Sequence, residues 1–403
     1  MRGGILRRIL FVAEELRGLN AHRDRMQKHA SRMDMMFALG SAAALETVRK
    51  ASIDAIVCDM HMRTSDGPQL LGTLKEDYPD LVRITLANPA EMDSIFAALP
   101  ISHQILSKPL DADALCNVIE RTFRLRELLT DSLRKRIGSV EQLPSVPAVY
   151  QELMGAMAHS DISAQKVARI IEKDAAMAAK TLQLVNSTCF GLKRTITSID
   201  QAVAHLGMDL IKNLSLTVHV FAALERTSLR LGFSFDAEQE HSVLTARIAR
   251  RLLSNRRQAQ DAFTAALLHD IGNLVLAVCI PEKFKKAFLT CQTTGRPSHE
   301  VEGELLGVTH AEVGAYLLGL WGLPFPIVEA VAYHHNPTSA LERSFDLPTA
   351  VSLANALVEE AIAGKPIAIL DHLESLQVLD KLPRWRAIAM EELGQISIKV
   401  AVP

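Results

Sequence analysis

The feature that most constrains the fold is a change of hydrophobic pattern near residue 138. Before that point, short apolar runs alternate with amphipathic stretches. The apolar runs are 9–12, 55–58, 84–87 and 105–106. Strand and helix in alternation are typical of βαβ units around a parallel sheet. We therefore predict an α/β domain over residues 8–126, built on a doubly wound, five-stranded parallel sheet.

After residue 138 the strand signals disappear. Gly138, Pro144 and Pro147 mark a boundary there because such residues favour turns. Apolar residues at three- and four-residue steps over 111–136 indicate one long helix before the boundary. The segments beyond the boundary also have helical patterns, which capping signals support. The predicted divisions are a connecting helix over 111–138, an all-α domain over 139–340 and C-terminal helices over 341–403 that pack on it.

Composition excludes several classes of protein. The 403 residues carry 44 basic and 46 acidic side chains, so net charge gives no argument for a nucleic-acid partner. The five cysteines are scattered without a C-x-x-C pair, which indicates reduced thiols rather than a disulfide framework. No apolar run approaches the 18 or so residues of a membrane helix. We expect a soluble, cytoplasmic protein that does not bind membranes.

Charged residues follow three of the predicted strands. Glu14 comes after the first strand, Asp59 ends the run 55–58, and Lys108 follows the run 105–106. In an open parallel sheet, sites form at the carboxyl ends of the strands. Carboxylates there can bind Mg²⁺ through oxygen, and one of them can attack a phosphoryl group. A lysine can neutralise the phosphoryl oxygens.

This region resembles the receiver domains of two-component systems. The segment 54–62, followed by Asp66-Gly67, is similar to their phosphoacceptor region, and Lys108-Pro109 is similar to their Lys-Pro step, whose peptide is usually cis. The resemblance covers roughly residues 8–126. It implies that Asp59 is the phosphoacceptor, that Glu14 and Asp59 bind Mg²⁺, that Lys108 contacts the phosphoryl group, and that the partner is a histidine kinase.

Three positions depart from the receiver pattern. Receivers usually carry two adjacent acids after the first strand, whereas this chain has Ala13 and Glu14. The hydroxyl residue that responds to phosphorylation falls at Ala87, and the aromatic switch position falls at Ile105. A degenerate receiver that only docks a partner or dimerises therefore stays open as an alternative to phosphorylation.

The second half of the chain carries a scattered set of histidines. His269-Asp270 closes an apolar run, His241 is predicted to open a helix, His310 lies at a capped helix start, and His334-His335 ends a helix. Imidazole and carboxylate ligands from several helices can converge on a divalent metal. The alternative is that these groups hydrogen-bond to each other at a helix junction.

The order of these residues resembles the HD superfamily of metal-dependent phosphohydrolases. The segments 170–174, 179–187, 199–207 and 267–276 further resemble the HDOD subfamily. The resemblance implies that His241, His269, Asp270, His310, His334 and His335 hold a divalent metal such as Fe, Mn or Zn. Related HD phosphodiesterases cleave phosphodiesters, including cyclic dinucleotides, whereas HDOD modules usually act as regulatory or interaction domains.

Departures from the active HD pattern favour the regulatory role. Asn273 replaces a lysine that commonly follows the His-Asp-Ile-Gly step, and Asn355 falls where the last aspartate is expected. An amide is a weaker metal ligand than a carboxylate and cannot act as a general base. The Gly-Tyr-Pro segment of the cyclic-dinucleotide phosphodiesterases is also missing after His335.

We therefore predict a phosphorelay response regulator, phosphorylated on Asp59, with a non-catalytic HDOD output domain that binds a downstream signalling protein. Phosphorylation would be transmitted through the connecting helix, by a change in domain contacts or in the formation of a homodimer. Two alternatives stay open. One is a metal-dependent HD-type phosphohydrolase acting on a nucleotide or cyclic dinucleotide, and the other is a phosphorylation-independent scaffold.

Overall fold

The computed structural model describes residues 7–60, 66–88, 98, 101–126, 137, 147–157, 162–186, 195–217, 233–340 and 345–400. They form two compact units, and the main division between the units falls after residue 142. The first unit contains the strands, and the second is built from helices.

The first unit is a five-stranded parallel sheet in the order β2-β1-β3-β4-β5, which confirms the predicted α/β fold. The strands are β1 (Arg7–Ala13), β2 (Met33–Leu39), β3 (Ala55–Asp59), β4 (Val82–Ala87) and β5 (Gln104–Ser107). The helices are α1 (Leu16–Met26), α2 (Gly40–Lys50), α3 (Asp66–Asp77) and α4 (Ala112–Arg126). Residues 127–136 of the predicted connecting helix lie outside the described residues.

The sheet is buried on both faces. Leu10 and Val12 of β1 pack against α2 and α3, whereas Phe11, on the opposite face, lies next to His22 of α1. Alternate residues of a strand point to opposite faces, so a central strand buried on both sides is apolar throughout. That is why residues 9–13 of β1 and 55–58 of β3 are continuous apolar runs in the sequence, whereas β4 buries Arg83 and Thr85 among its apolar residues.

The sequence pattern did not predict β2. This strand lies at the edge of the sheet and pairs only with β1. It contains three methionines and an aspartate, and Asp is depleted in strands. Pairing with β1, rather than local propensity, accounts for its strand conformation.

The second unit is helical, in agreement with the predicted all-α domain. Its N-terminal helices are α5 (Pro147–Met157), α6 (Ala164–Ile171), α7 (Ala175–Val185) and α8 (Ile199–Thr217). The helices α9 (Phe235–Leu252), α10 (Arg256–Leu268), α11 (Ile271–Cys279), α12 (Pro281–Thr294), α13 (Ser298–Leu306), α14 (His310–Leu320) and α15 (Phe325–Tyr333) follow. The chain continues with α16 (Leu347–Ala363), α17 (Leu370–Ser375) and α18 (Leu382–Val400).

Two helix starts that matter for the site can be compared with the sequence predictions. The prediction that His241 opens a helix is wrong, because α9 begins at Phe235, where the Ser234 side chain accepts a hydrogen bond from the Ala237 backbone N–H at 3.2 Å. The capping box before His310 is confirmed: Glu312 accepts from the Thr309 backbone N–H at 2.8 Å, and Thr309 Oγ1 accepts from the Glu312 N–H at 3.2 Å.

One described stretch, 256–279, is long and apolar enough by composition to cross a membrane. However, 78% of its most apolar window is buried inside the fold. The stretch consists of α10 and α11, separated by His269 and Asp270. Helices buried to this extent belong to the core of the unit, and they place the His-Asp pair deep inside it.

Candidate functional sites

The first candidate site lies at the carboxyl edge of the sheet. Asp59 is the last residue of β3, and its side chain is 14% exposed. Lys108 follows β5, and its Nζ lies 3.3 Å from Asp59 Oδ2. Glu14 comes directly after β1, the strand next to β3. The structure therefore places all three predicted residues at one edge and joins Asp59 to Lys108.

The backbone around Asp59 is tightly constrained. A Cβ added at Gly67 would lie 2.8 Å from the Met60 carbonyl oxygen and 2.9 Å from that of Asp59, so only glycine allows this approach of α3. The Lys108-Pro109 peptide is cis, as the receiver resemblance implied. Ala87 ends β4 and is buried, and its methyl group offers no hydrogen bond to a phosphoryl group.

Sequence reasoning missed His22, which lies on α1 against this site. Its Nε2 is 3.5 Å from Asp59 Oδ1, and its side chain is 9% exposed. Neither ring nitrogen of His22 makes a hydrogen bond within the described residues, and neither does Asp59 Oδ1. His22 lies about one and a half turns into an amphipathic helix, and nothing in the sequence indicates that its side chain faces Asp59.

The oxygen atoms of this site fit Mg²⁺. Asp59 Oδ1 is a buried carboxylate oxygen without a hydrogen-bond partner among the described residues, and Glu14 supplies a second carboxylate at the same edge. Mg²⁺ prefers oxygen ligands and is commonly bound by one or two carboxylates. Receiver domains generally bind Mg²⁺ in this way.

The second candidate site is built around Asp270, between α10 and α11. His269 is fully buried, and its Nδ1–H donates to the Ala266 carbonyl at 2.7 Å. The other ring nitrogen, Nε2, therefore faces Asp270 Oδ2 at 3.1 Å. His269 Nε2 is buried without a hydrogen-bond partner in the described part of the chain.

Three of the four remaining predicted histidines converge on the same carboxylate, and the fourth contacts one of them. His310 Nε2 lies 3.1 Å from Asp270 Oδ1, and His334 Nε2 lies 3.7 Å from the same oxygen. His241 Nε2 lies 3.7 Å from Asp270 Oδ2. His335 Nε2 lies 2.9 Å from His310 Nε2. The structure thus brings all six predicted residues together from four separate parts of the helical unit.

The histidines are oriented by hydrogen bonds at their outer nitrogens. His310 Nδ1 donates to Glu302 Oε2 at 2.7 Å, and His334 Nδ1 donates to the Val331 carbonyl at 2.8 Å. His269 has the corresponding bond to a carbonyl. Histidines that bind metals typically donate their second ring N–H to a carboxylate or carbonyl, which directs the free nitrogen at the metal. These rings have that arrangement.

Gly272 allows the helices to come close enough for this convergence. A Cβ at this position would lie 1.9 Å from the His310 carbonyl oxygen and 2.9 Å from the Gly314 backbone nitrogen. No real side chain tolerates such distances. The glycine of the His-Asp-Ile-Gly motif therefore sets the approach of α11 to the start of α14, which carries His310.

Without a metal, the charges in the cluster favour an ionised Asp270 beside a mixture of neutral and protonated imidazoles. Burial alone would raise the pKa of Asp270, but the imidazoles of His269 and His310 lower it well below its usual value. Burial and the neighbouring imidazoles lower the pKa values of His334 and His335 well below the usual range. Burial alone would lower the pKa values of His269 and His310, but Asp270 raises that of His269, and Glu302 and Asp270 raise that of His310 well above its usual value. Because a metal ion binds the neutral imidazole, its binding would displace the protons from these two rings.

The donor set fits a divalent metal. Two groups of ligand atoms meet within the range of one ion each: His241, His269 and Asp270 in one, and His310, His334 and His335 in the other. The Nε2 atoms of His310 and His334 face each other at 3.3 Å. Facing nitrogens need a shared proton or a cation between them, and imidazole suits Zn, Fe and other transition metals.

The two predicted departures also lie in the site. Asn355 Oδ1 is 2.9 Å from His241 Nε2, where the resemblance placed an aspartate. Asn273 Nδ2 donates to Glu238 Oε1 at 2.6 Å. Burial, followed by the charge of Asp270, raises the pKa of Glu238 to about 8.

Three residues of the cluster were not predicted: Glu238, Glu302 and His299. Glu238 precedes His241 by three residues on α9, a spacing that places both on one face and was a usable signal. Glu302 and His299 both lie on α13. His299 stacks on His335 with ring centroids 4.1 Å apart, and only the tertiary fold brings α13 to the cluster.

Comparisons with known proteins agree with both halves of the structure. The response regulator receiver domain family matches residues 12–120, and the HDOD domain family matches residues 143–337. A virulence factor from Campylobacter jejuni has a similar structure, with 23% identity and a TM-score of 0.50, over 65% of this chain and 97% of that one. The MmoQ response regulator of Methylococcus capsulatus matches at 20% identity and a TM-score of 0.49, over 61% of this chain and 98% of that one.

An uncharacterized protein of Treponema pallidum is 24% identical over 241 residues, which cover 60% of this chain. The match spans 47% of the length of that relative. Identities at this level support the fold rather than an activity, and the two family matches carry the assignment. The chain therefore combines a response-regulator receiver domain with an HDOD domain.

Proposed function

We propose that this protein is a phosphorelay response regulator that accepts a phosphoryl group on Asp59 and acts through protein interactions of its HDOD domain. The observation that carries the proposal is the pairing of Asp59 with Lys108 at the sheet edge, 3.3 Å apart. The pair combines a nucleophilic carboxylate with a cation that can neutralise phosphoryl oxygens.

The phosphoryl transfer needs few groups from the protein. A carboxylate oxygen of Asp59 attacks the phosphorus of a phosphohistidine on the partner kinase. The P–O bond to Asp59 forms as the P–N bond breaks, and the imidazole leaves and takes up a proton. Lys108 neutralises charge on the transferred oxygens. Glu14 and Asp59 would hold a divalent cation, which would supply further charge neutralisation there.

Phosphorylation can be tested directly on the full chain. We expect acetyl phosphate with Mg²⁺ to add one phosphoryl group, detected by intact mass and lost on treatment with hydroxylamine, which cleaves acyl phosphates. Asp59→Asn should abolish this addition. Asp54→Asn is the matched control, because Asp54 precedes the same strand and accepts a hydrogen bond from the Arg8 backbone N–H at 2.8 Å. Equal labelling of wild type and Asp59→Asn would refute the assignment.

We also infer that the histidine cluster of the HDOD domain holds a divalent metal such as Fe, Mn or Zn. The support is the convergence of four imidazoles on Asp270, with a fifth, His335, against His310. The outer nitrogens of three of these rings are fixed by hydrogen bonds. A metal there would link α9, α10, α14 and α15 and stabilise the domain. Such binding is compatible with a non-catalytic output domain, because Asn355 and Asn273 remove a carboxylate and a cation from the active HD pattern.

The same convergence favours a second candidate function, metal-dependent hydrolysis of a nucleotide or cyclic dinucleotide. A divalent cation in the cluster would supply Lewis acidity toward a phosphodiester. Metal-loaded protein should be assayed with cyclic dinucleotides and bis(p-nitrophenyl) phosphate, beside His269→Ala. Turnover that is lost in His269→Ala would establish the enzyme, whereas metal binding without turnover is the result that we expect.

A further inference from the structure

Two buried glutamines meet at the start of β5. The compact unit that contains the receiver sheet also includes residues from later in the chain, among them Gln183 near the end of α7 and the segment Gly319–Gly322 at the end of α14. Gln104 Nε2 donates to the Gly319 carbonyl at 3.2 Å, and Gln183 Nε2 donates to the His103 carbonyl at 3.3 Å. Gln104 is 9% exposed and Gln183 is 6% exposed. Because a buried amide that loses its partner is costly, these two bonds fix the start of β5 against both segments.

The end of α14 has a geometry that accepts Gln104. The Gly322 N–H donates to the Gly319 carbonyl at 3.1 Å, and the Leu323 N–H donates to the Leu318 carbonyl at 3.0 Å. This pair of bonds, with Gly322 at a φ of +72°, is the Schellman pattern that ends many helices. A carbonyl oxygen has two lone pairs, so Gly319 can accept from Gln104 as well. A Cβ on Gly322 would lie 2.9 Å from Gln104 Oε1, which shows that the glutamine packs directly on this helix end.

The strand β5 leads from this contact to the phosphoacceptor edge. Gln104 is its first residue, and Lys108 directly follows its last. At about 3.3 Å per residue, the two positions lie about 13 Å apart along the strand. Lys108 Nζ lies 3.3 Å from Asp59 Oδ2. The strand is therefore held at one end by an ion pair to the phosphoacceptor and at the other by the hydrogen bond to Gly319.

We propose that Gln104 is a positioning residue that couples the phosphoacceptor edge to the C-terminal end of α14, the helix that begins at His310. The contact of Gln104 with Gly319 exists without phosphorylation, and its response to phosphorylation rests on the proposed function. When Lys108 exchanges Asp59 Oδ2 for oxygens of a phosphoryl group, β5 shifts, and the bond of Gln104 to Gly319 weakens. The end of α14 then becomes less constrained.

Hydrogen–deuterium exchange of the full chain, without a phosphoryl mimic, tests the contact. Gln104→Met keeps the size of the side chain but has no N–H to donate. We expect peptides that contain Gly322 and Leu323 to exchange about threefold faster in this variant than in wild type, because local opening there becomes easier. Gln69→Met, at an exposed position of α3, is the matched control and should exchange like wild type.

Unchanged exchange of these peptides in a folded Gln104→Met variant would overturn the proposal. If that variant does not fold, Gln183→Met takes its place, because it removes the donor to the His103 carbonyl at the same end of β5. Unchanged exchange in Gln183→Met would then overturn the proposal equally.

Beryllium fluoride with Mg²⁺, added as a phosphoryl mimic, tests the coupling. In wild type we expect altered exchange around Asp59 and faster exchange in the peptides with Gly322 and Leu323. In Gln104→Met the response around Asp59 should remain and the response at Gly322 should be lost, a separation that a merely structural role of Gln104 would not produce. A response at Gly322 of wild-type size in Gln104→Met would overturn the coupling. An absent response around Asp59 in wild type would instead contradict the proposed function, and the comparison without the mimic would still decide on the contact.

Discussion

At the scale of single residues, the HDOD cluster depends on the groups that orient its rings. Glu302 is the clearest case, because its Oε2 accepts from both the backbone N–H and Nδ1 of His310 at 2.7 Å. The carboxylate thereby fixes the ring plane of His310 and increases the basicity of Nε2. Within the described residues, the hydrogen bonds of Glu302 to the predicted ligands are all made to His310.

We predict that Glu302→Gln lowers the metal affinity of the full chain about tenfold. The glutamine amide can still accept the hydrogen bonds from His310, but it lacks the negative charge of the carboxylate. Chelator competition followed by elemental analysis measures the change. Glu304→Gln is the matched control, since Glu304 lies on the same helix and pairs with Arg296 at the surface. Equal metal affinity in Glu302→Gln and wild type would contradict an orienting role for Glu302.

Glu172 provides a pH-dependent test away from the metal cluster. Burial, followed by the charge of Asp200, raises its pKa to about 7. The folded state thus binds this proton more tightly than the unfolded state, whose pKa is near 4.5. The stabilisation that comes from protonated Glu172 is therefore fully present below pH 4.5, and it is lost as the pH rises through 7.

We predict that Glu172→Gln changes the melting temperature little at pH 5 but raises it at pH 8, by a few degrees or about 1–3 kcal/mol. Thermal unfolding at both pH values measures the difference. Glu152 is exposed and pairs with Lys173, so Glu152→Gln is the control variant. Its melting temperature should differ from that of wild type by the same amount at pH 5 and at pH 8. A stabilisation of Glu172→Gln that is the same at pH 5 and pH 8 would be inconsistent with a buried, pH-sensitive carboxyl group.

At the scale of elements, one close helix contact assembles the HDOD cluster. Gly272 lets α11 meet the start of α14, and a Cβ there would overlap the His310 carbonyl. We predict that Gly272→Ala lowers the melting temperature by several degrees, for about 1–3 kcal/mol of overpacking, and reduces metal content by displacing His310. Metal analysis and thermal unfolding on the same sample check both effects.

The control for that variant is Gly303→Ala on α13, where a Cβ meets nothing within 4 Å. Because alanine is the better helix former, Gly303→Ala should leave stability unchanged or slightly increased. A Gly272→Ala variant that keeps full metal content and melts like wild type would show that the close contact is not required.

The elements also show what the sequence can and cannot predict. Central strands such as β3 are buried on both faces and can therefore be recognised in the sequence as apolar runs. The glycines and acidic residues near their ends indicate the site. The edge strand β2 lacks that signal because pairing with β1 stabilises it. The histidines and Asp270 of the helical unit were predictable from their order, which resembles that of the HD superfamily. His22 and Glu302 are brought to their sites only by tertiary packing of α1 and α13.

At the scale of the whole molecule, the chain joins a receiver domain, with Asp59 and Lys108 paired at its sheet edge, to a helical domain that contains a histidine cluster. The central claim is that phosphorylation of Asp59 changes the state of the HDOD domain and hence its binding to a partner. The residues that test it are Asp59 in the receiver domain and the peptides over 233–340, which carry the histidine cluster.

Hydrogen–deuterium exchange of the full chain, with and without beryllium fluoride and Mg²⁺ as a phosphoryl mimic, tests this claim most directly. We predict altered exchange in peptides around Asp59 and also in peptides over 233–340, with both changes absent in Asp59→Asn. A response confined to the receiver domain, or an identical response in Asp59→Asn, would contradict the claim.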